Sequence, residues 1–370
     1  MRFSSNPPPE FSRIDCQAAM LTLVAPDVTQ APAATKPPRC LYCHSSRLTP
    51  HWSGIRDRLG HVPGERSFDR CDECGSLQLS SLPPDDELAS YYPPACSFSR
   101  QPGDGGGLRR WMTWLEHHWF LRPHYRAQVQ QVLQTSDFAG RCGLRLLDVG
   151  CGRGLRLAAF QQQGLDVCGL DLQPEVIGSL QRDLGIPGEV GGVDALASRF
   201  APASFDLVTA FYLLEHVPDV SALLANCRRL LKPGGWFVGA VPVCDGLQAR
   251  LFGERWLHVT EAPRHLSLPS TLGLLQAASL AGYQSMQIRP DSLLNCAGIV
   301  GGSLFPGSDL VSDLRSASGY GCWTAIARRM LGGLCAIAAL PFCLVENYLL
   351  GETSHAMLFA QVPSQSESTQ

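Results

Sequence analysis

From Leu144 to Pro290 the chain alternates short apolar runs with stretches of helical periodicity, and that alternation leaves few folds open. The apolar runs are LRLLDVG (144–150), DVCGLDL (166–172), FDLVTAFYL (205–213), GWFVGAVP (235–242) and YQSMQIRP (283–290). Helical stretches fall between them, around 155–163, 174–184, 220–231 and 270–281. A strand that is apolar on both sides must be covered on both faces, and an intervening helix brings the next strand back parallel to it. The pattern therefore predicts an α/β, Rossmann-like domain with a parallel sheet between two helical layers. Ser270, after Pro269, is placed to cap one of these helices, and Gly282 to stop it.

One junction in the pattern carries chemistry. The run Leu146-Leu147-Asp148-Val149 enters Gly150-Cys151-Gly152-Arg153-Gly154 and then a helix. Glycine at alternate positions permits a tight turn and lets a ligand approach the backbone with no Cβ in the way. The helix start behind the turn favours a carboxylate. The next apolar strand ends in Asp171, where a carboxylate can accept both hydroxyls of a ribose. A dinucleotide fingerprint, G-x-G-x-x-G, would need glycine at Leu155, whereas Gly154 comes one residue early. S-adenosylmethionine (SAM), which has no pyrophosphate to cradle, suits that departure better than NAD.

Further segments carry a resemblance. DVGCGRG, the acidic strand end at Asp171, SFDLVTAFYLLEHVPD (204–219) and RRLLKPGGWFVGAVP (228–242) resemble, in order, the motifs of class I SAM-dependent methyltransferases. Glu215-His216 and the turn Lys232-Pro233-Gly234-Gly235 are typical of that superfamily. EAPRHLSLPSTLGLLQAASLAGY (261–283) is similar to a segment of a bacterial branch. The resemblance spans about 140–290 plus a last strand, HAMLFAQVP (355–363), and implies a seven-stranded sheet whose last strand is antiparallel. It also implies that Asp148, Gly150 and Gly152 line the methionine part of SAM and that Asp171 holds the ribose. Cys151 and Gly154 of the same loop, and Leu172 beside Asp171, are counted with them. Asp194, in GEVGGVDALA, falls where the family places an acidic contact to the adenine amino group. The third strand, around 189–193, is short of apolar residues.

Two rival readings fit the residues less well. An NAD-dependent sugar-modifying oxidoreductase would need glycine at 155 and a Tyr-x-x-x-Lys catalytic pair, neither of which is in place. A non-catalytic binding protein on the same scaffold would have no need of an intact glycine loop with Asp171.

Methyl transfer from a sulfonium is an in-line displacement with a neutral leaving group, so an enzyme contributes mainly alignment and exclusion of water. A base is required only where the acceptor must lose a proton. His216, just after the fourth strand, and His265, in APRHLS, are the candidate catalytic residues. Each also has a plain structural reading as a loop-pinning hydrogen bonder. Glu215 reads as structural, and Tyr212 and His258 as pocket candidates.

Upstream, Cys40-x-x-Cys43 and Cys71-x-x-Cys74 are two knuckles separated by 27 residues. Four thiolates match one tetrahedral zinc ion with no open position, and the long gap asks for a hairpin between the knuckles. FDRCDECGSLQLSSLPPDDELASYY resembles the N-terminal zinc module that precedes some bacterial methyltransferases acting on sugars or other small metabolites. The expected acceptor is a small molecule, a glycan or a lipid-linked compound. The expected order is a disordered leader (1–38), the zinc module (39–82), a linker and helix (83–137), the SAM-binding core (138–290), an apolar helical insertion (291–350), the last strand (351–363) and a tail (364–370).

Net charge is −3, without the basic footprint of a nucleic-acid binder. Fifteen cysteines, odd in number and scattered, read as reduced thiols of a cytoplasmic protein. Met330 to Val345 carry no charge. At roughly 24 Å as a helix they fall short of the roughly 30 Å of a bilayer core. A buried core helix, an in-plane contact at the inner membrane face and a true span all remain open there. Trp111, Trp114 and Trp119 read either as a helix packed over the cofactor site or as an interfacial partner.

Overall fold

The computed structural model describes residues 39–91, 121–304 and 322–364. The leader, the three tryptophans and the tail beyond Ser364 lie outside them. The described residues all fall within one compact unit.

The unit opens with strands β1 (Leu48–Arg56), β2 (Glu65–Cys71) and β3 (Leu77–Leu79), then a single helical turn, α1 (Asp85–Leu88). Helix α2 (Arg122–Thr135) leads into the alternating half. There β4 (Arg145–Val149), α3 (Leu155–Gln161), β5 (Asp166–Asp171), α4 (Pro174–Leu184), β6 (Gly188–Val190) and α5 (Ala195–Arg199) follow one another. Then come β7 (Phe205–Phe211), α6 (Val220–Leu230), β8 (Leu231–Pro242), α7 (Leu247–Phe252), β9 (Ser267–Leu268), α8 (Thr271–Leu280) and β10 (Gln284–Pro290). The chain closes with α9 (Leu293–Leu304), α10 (Cys322–Leu344), a π-helical turn (Val345–Leu349) and β11 (His355–Gln361).

Seven strands form the main sheet in the order β10-β11-β8-β7-β4-β5-β6. β4 pairs in parallel with β5 and β7, and β7 with β8. β11 slots between β8 and β10, antiparallel to both. The antiparallel last strand expected from the resemblance is thus present. Strand alternation explains the two cores: Leu146 packs into the layer with Leu157 and Phe160, and Leu147 into the layer with Leu223 and Leu224. β6 is only three residues long, in keeping with its poor sequence signal. Ser270 caps α8 by accepting from Gly273 N at 2.9 Å, and Asp219 caps α6 from Ala222 N at 2.8 Å. β8 is longer than expected, because the Lys232–Gly235 turn is drawn into it.

The small sheet departs from the expected plan. Its order is β1-β2-β3-β9, so its fourth strand comes from the alternating half, beside the RHLS segment. The hairpin anticipated between the cysteine knuckles is β1-β2. At the other end, α10 buries Ala339 and Cys343 against Cys296 and Ala297 of α9. Its opposite side exposes Leu334 and Ile337, each at 62%. Neither a wholly buried core helix nor a span describes it: among the described residues no helix is long and apolar enough to cross a membrane.

Candidate cofactor and acceptor site

The turn after β4 is closed by Gly150 N and Cys151 N donating to Leu170 O, at 2.8 and 3.0 Å. At Gly154 the backbone is left-handed (φ +69°), and an added Cβ would lie 2.1 Å from Leu180 of α4. That glycine is a packing requirement. Gly152 is different: φ is +50° and nothing lies within 4 Å of an added Cβ. Space on that side is what a ligand running along the backbone would need. Cys151 turns its thiol into the core, where a Cβ at Gly169 would come within 2.6 Å of its sulfur. Only its backbone is available to a ligand, which narrows the role expected for it.

Asp171 ends β5 and accepts from Gly152 N and Gln173 N, both at 3.0 Å. Burial pushes its carboxyl upward, and the backbone donors oppose that. Leu172, next to it, is 72% exposed, unusual for a leucine beside a sheet edge. Gly192 lies against Leu172, and the exposed Asp194 starts α5 two residues on. Beneath the loop, Asp148 is buried and accepts from Thr209 Oγ1 at 2.7 Å. Desolvation raises its pKa to about 6, against the pull of the Thr209 hydroxyl and the Arg156 guanidinium.

Arg156 is among the residues that sequence reasoning missed. Its guanidinium stacks over Tyr125, Phe211 and Tyr212, with centroids at 5.0, 4.4 and 5.2 Å. Its Nε donates to Gln128 Oε1 at 3.0 Å, and Gln128 Nε2 donates to Asp291 Oδ1 at 2.6 Å. Asp291 also accepts from the Tyr212 hydroxyl and from Asn295 Nδ2. Four elements meet in this network, and no local sequence signal links them. The one hint is Tyr212, whose left-handed backbone (φ +56°) marks the sharp exit from β7.

His216 and His265 come together beyond that exit, with rings 4.8 Å apart and edge to face. His216 Nδ1 donates to Arg264 O at 2.9 Å and His265 Nδ1 to His258 O at 2.8 Å. Burial pushes His216 down to about 4 and His265 well below the usual imidazole range. Glu215, the neighbour read as structural, is 1% exposed, and its Oε2 has no hydrogen-bond partner. Burial pushes its carboxyl up to about 8. His258 stacks on the His265 ring, centroids 5.3 Å apart, and its Nε2 shares a hydrogen with that of His355 at 2.8 Å. The segment is held from below by the small sheet: Leu266 N donates to Glu215 O and Leu79 N to Leu266 O, at 2.7 and 2.9 Å. Arg264 forms a buried pair with Asp57 at 2.8 Å, and Arg58 pairs with Glu261 at 3.1 Å.

The four cysteine sulfurs also converge. Cys40 and Cys74 lie 3.5 Å apart, as do Cys43 and Cys71, and all four sulfurs fall within 4.8 Å of one another. Zn–S bonds of about 2.3 Å in a tetrahedron require edges of about 3.8 Å, so this donor set fits zinc.

Residues 116–288 match the family described as a methyltransferase domain. Among curated proteins, the ubiquinone biosynthesis O-methyltransferase of Paraburkholderia phymatum is 36% identical over 132 residues, covering 33% of this chain and 56% of that protein. Its counterpart in Xanthomonas campestris pv. campestris is 44% identical over 98 residues, covering 25% and 41%. The chain thus spans about half the length of the curated relatives it matches. Among solved structures, a SAM-dependent methyltransferase from Archaeoglobus fulgidus aligns with a TM-score of 0.42 and 16% identity, over 68% of this chain and 99% of that one. Residues 116–288 thus match a methyltransferase domain, and the strand order and glycine loop agree with the resemblance to class I SAM-dependent methyltransferases.

Proposed function

We infer that the protein transfers a methyl group from SAM to a hydroxyl oxygen of a small, largely apolar acceptor. One observation carries the cofactor half: the open side of Gly152 lies in the loop whose backbone is tied to Asp171. In this reading Asp171 accepts the ribose hydroxyls, Leu172 covers the adenine face and Asp194 meets its amino group. The backbone from Gly150 to Gly154 follows the methionine part, and Asp148 lends negative charge beneath it. The name of the curated relatives supports oxygen as the accepting atom. The exposed apolar side of α10 supports an acceptor that is lipid-linked or drawn from a lipid surface. The four cysteines hold a structural zinc ion under the acceptor-side loop.

Bound SAM supplies a methyl group on a positive sulfur that leaves as a neutral thioether. The chain's own residues align the acceptor and keep water out. Burial holds His216 and His265 neutral, with their Nδ1–H groups engaged by carbonyl oxygens. His265 can receive a hydrogen bond from the acceptor's hydroxyl. With its basicity held down to about 4, His216 cannot keep the proton at neutral pH, and the proton ends in solvent.

The test is titration calorimetry with SAM and NAD, followed by incubation with SAM and soluble or lipid extract fractions. SAM binds, NAD does not, and one compound gains the mass of a methylene unit. Asp171→Ala weakens SAM by about 1.5–3 kcal/mol, the value of charged hydrogen bonds. NAD binding without SAM binding would sink this reading, and SAM binding without any methylated product would favour a non-catalytic protein.

A further inference from the structure

We propose that Arg58 and Trp256, gathered at His258, bind an oxyanion: the carboxylate or phosphate of an acceptor that is acidic at one end and apolar along the rest. The acceptor's part in this rests on the methyl-transfer reading, whereas binding of the anion does not.

The side chains of arginine and tryptophan carry hydrogen-bond donors and no acceptor. Arg58 spends one edge of its guanidinium on Glu261, with Nε and Nη2 both 3.1 Å from Oε1. Nη1, on the other edge, is buried and has no partner among the described residues. The Arg58 side chain is only 7% exposed, so bulk water reaches little of its charge. Trp256 is fully buried, and its Nε1–H has no acceptor either. Two unmet donors in a folded interior are unfavourable, and an oxygen acceptor placed there relieves both.

The backbone brings the two to one turn. Arg58 N donates to Thr260 O at 2.9 Å, and Thr260 N to Trp256 O at 3.2 Å. Within that turn His258 sets its ring edge-on to Trp256, centroids 4.9 Å apart, and its Nδ1 is a further buried polar atom without a partner. His258 Nε2 is taken by His355, which opens β11 opposite Pro242 at the end of β8. That is the carboxyl edge of the parallel strands, where α/β folds hold their ligands. Asp171 and Tyr212 emerge at the same edge, from β5 and β7.

The charges select the ligand's sign. Asp57 cannot turn to Arg58 Nη1, because it is held by Arg264 and by the backbone N–H groups of Leu59, His61 and Val62. Burial first, the neighbouring rings next and the Arg58 charge after them keep His258 and His265 well below the usual imidazole range. A place where imidazoles resist a proton and a guanidinium edge stands unmet suits an anion, and the arginine–oxyanion bond is charge-assisted. Trp256 otherwise packs in an apolar cluster with Ile55, Val259 and Ala262, which fits a ligand that is apolar beyond its acidic end. Arg58 stands two residues after β1, so the small sheet with its four cysteines supplies the charge that reads the acceptor.

The experiment uses the full chain and follows the indole N–H resonance of Trp256, identified by its nuclear Overhauser contacts to the His258 ring. Inorganic phosphate and acetate are titrated in turn, with chloride holding the ionic strength constant. In wild type the resonance shifts and saturates, and the ion with the lower midpoint names the acidic group. Arg58→Met, which keeps length and loses charge, raises that midpoint at least tenfold while calorimetry shows SAM binding unchanged. A wild-type resonance that neither ion moves at millimolar concentration overturns the proposal even if the variant misfolds, and leaves buried water as the donors' partner. An equal midpoint in folded Arg58→Met overturns it too. In the extract assay, the compound that gains a methylene unit is retained by an anion-exchange resin at neutral pH, and a neutral product overturns the acceptor's placement here. Loss of SAM binding in wild type would instead strike the methyl-transfer reading and leave the anion result standing.

Discussion

Single residues here owe their properties to what surrounds them. The resemblance marks Asp148 as lining the methionine part of SAM, but only its burial lifts its pKa to about 6. Below that pH it is neutral in the free protein, and a cationic ligand must expel a proton to regain its charge. SAM, which carries an ammonium and a sulfonium, should therefore bind more weakly as pH falls through about 6. The affinity gained between pH 5 and pH 7 is up to about tenfold per unit below the pKa. Calorimetry at three pH values checks this, and Asp148→Asn should flatten the profile. Cys151 and Gly152 are neighbours of opposite fate, one turned into the core and the other bordering open space. Residue type alone does not separate them, because the turn's backbone angles decide which way each Cβ points.

Elements were the most legible level. Apolar runs and caps located most strands and helices to within a few residues, since each depends on side chains close in sequence. The exceptions differ in cause: β6 has too few apolar residues to announce itself, whereas β8 recruits its preceding turn through bonds to Val362, far along the chain. The loop glycines are a case where element packing makes a prediction. Gly154→Ala forces a Cβ against Leu180 and strains a left-handed backbone, so α3 and α4 must part. A stability loss of about 1–3 kcal/mol is expected, read from the urea midpoint. Gly152→Ala meets no neighbour and should cost the fold only about 1 kcal/mol of backbone strain while weakening SAM more than tenfold. Equal loss of stability in the two would remove the distinction drawn between a packing glycine and a ligand-facing one.

At the scale of the whole molecule, the small sheet and the alternating half share a strand. β9 pairs with β3, and its neighbour Leu266 bonds both to Leu79 and to Glu215, so the cysteine cluster and the His216–His265 pair stand on one hydrogen-bonded ladder. Cys71→Ser with Cys74→Ser should remove one equivalent of zinc by elemental analysis. It should also speed amide exchange at Leu266 and Leu268, while Leu147 and Leu207 in the main sheet keep their protection. Zinc retained in full would refute the ligand set, and unchanged exchange at Leu266 would refute the coupling. By itself the sequence determined the α/β class, the glycine loop with an aspartate at the next strand end and the four-cysteine set, because periodicity and short-range spacing encode them directly. Only the tertiary structure decided that Glu215 joins His216 and His265, and that Arg156 reaches Asp291 through Gln128. It also decided that β9 completes the small sheet. Each of these joins residues from separate segments, and such contacts arise when a buried polar group must find its partner wherever the folded chain brings one.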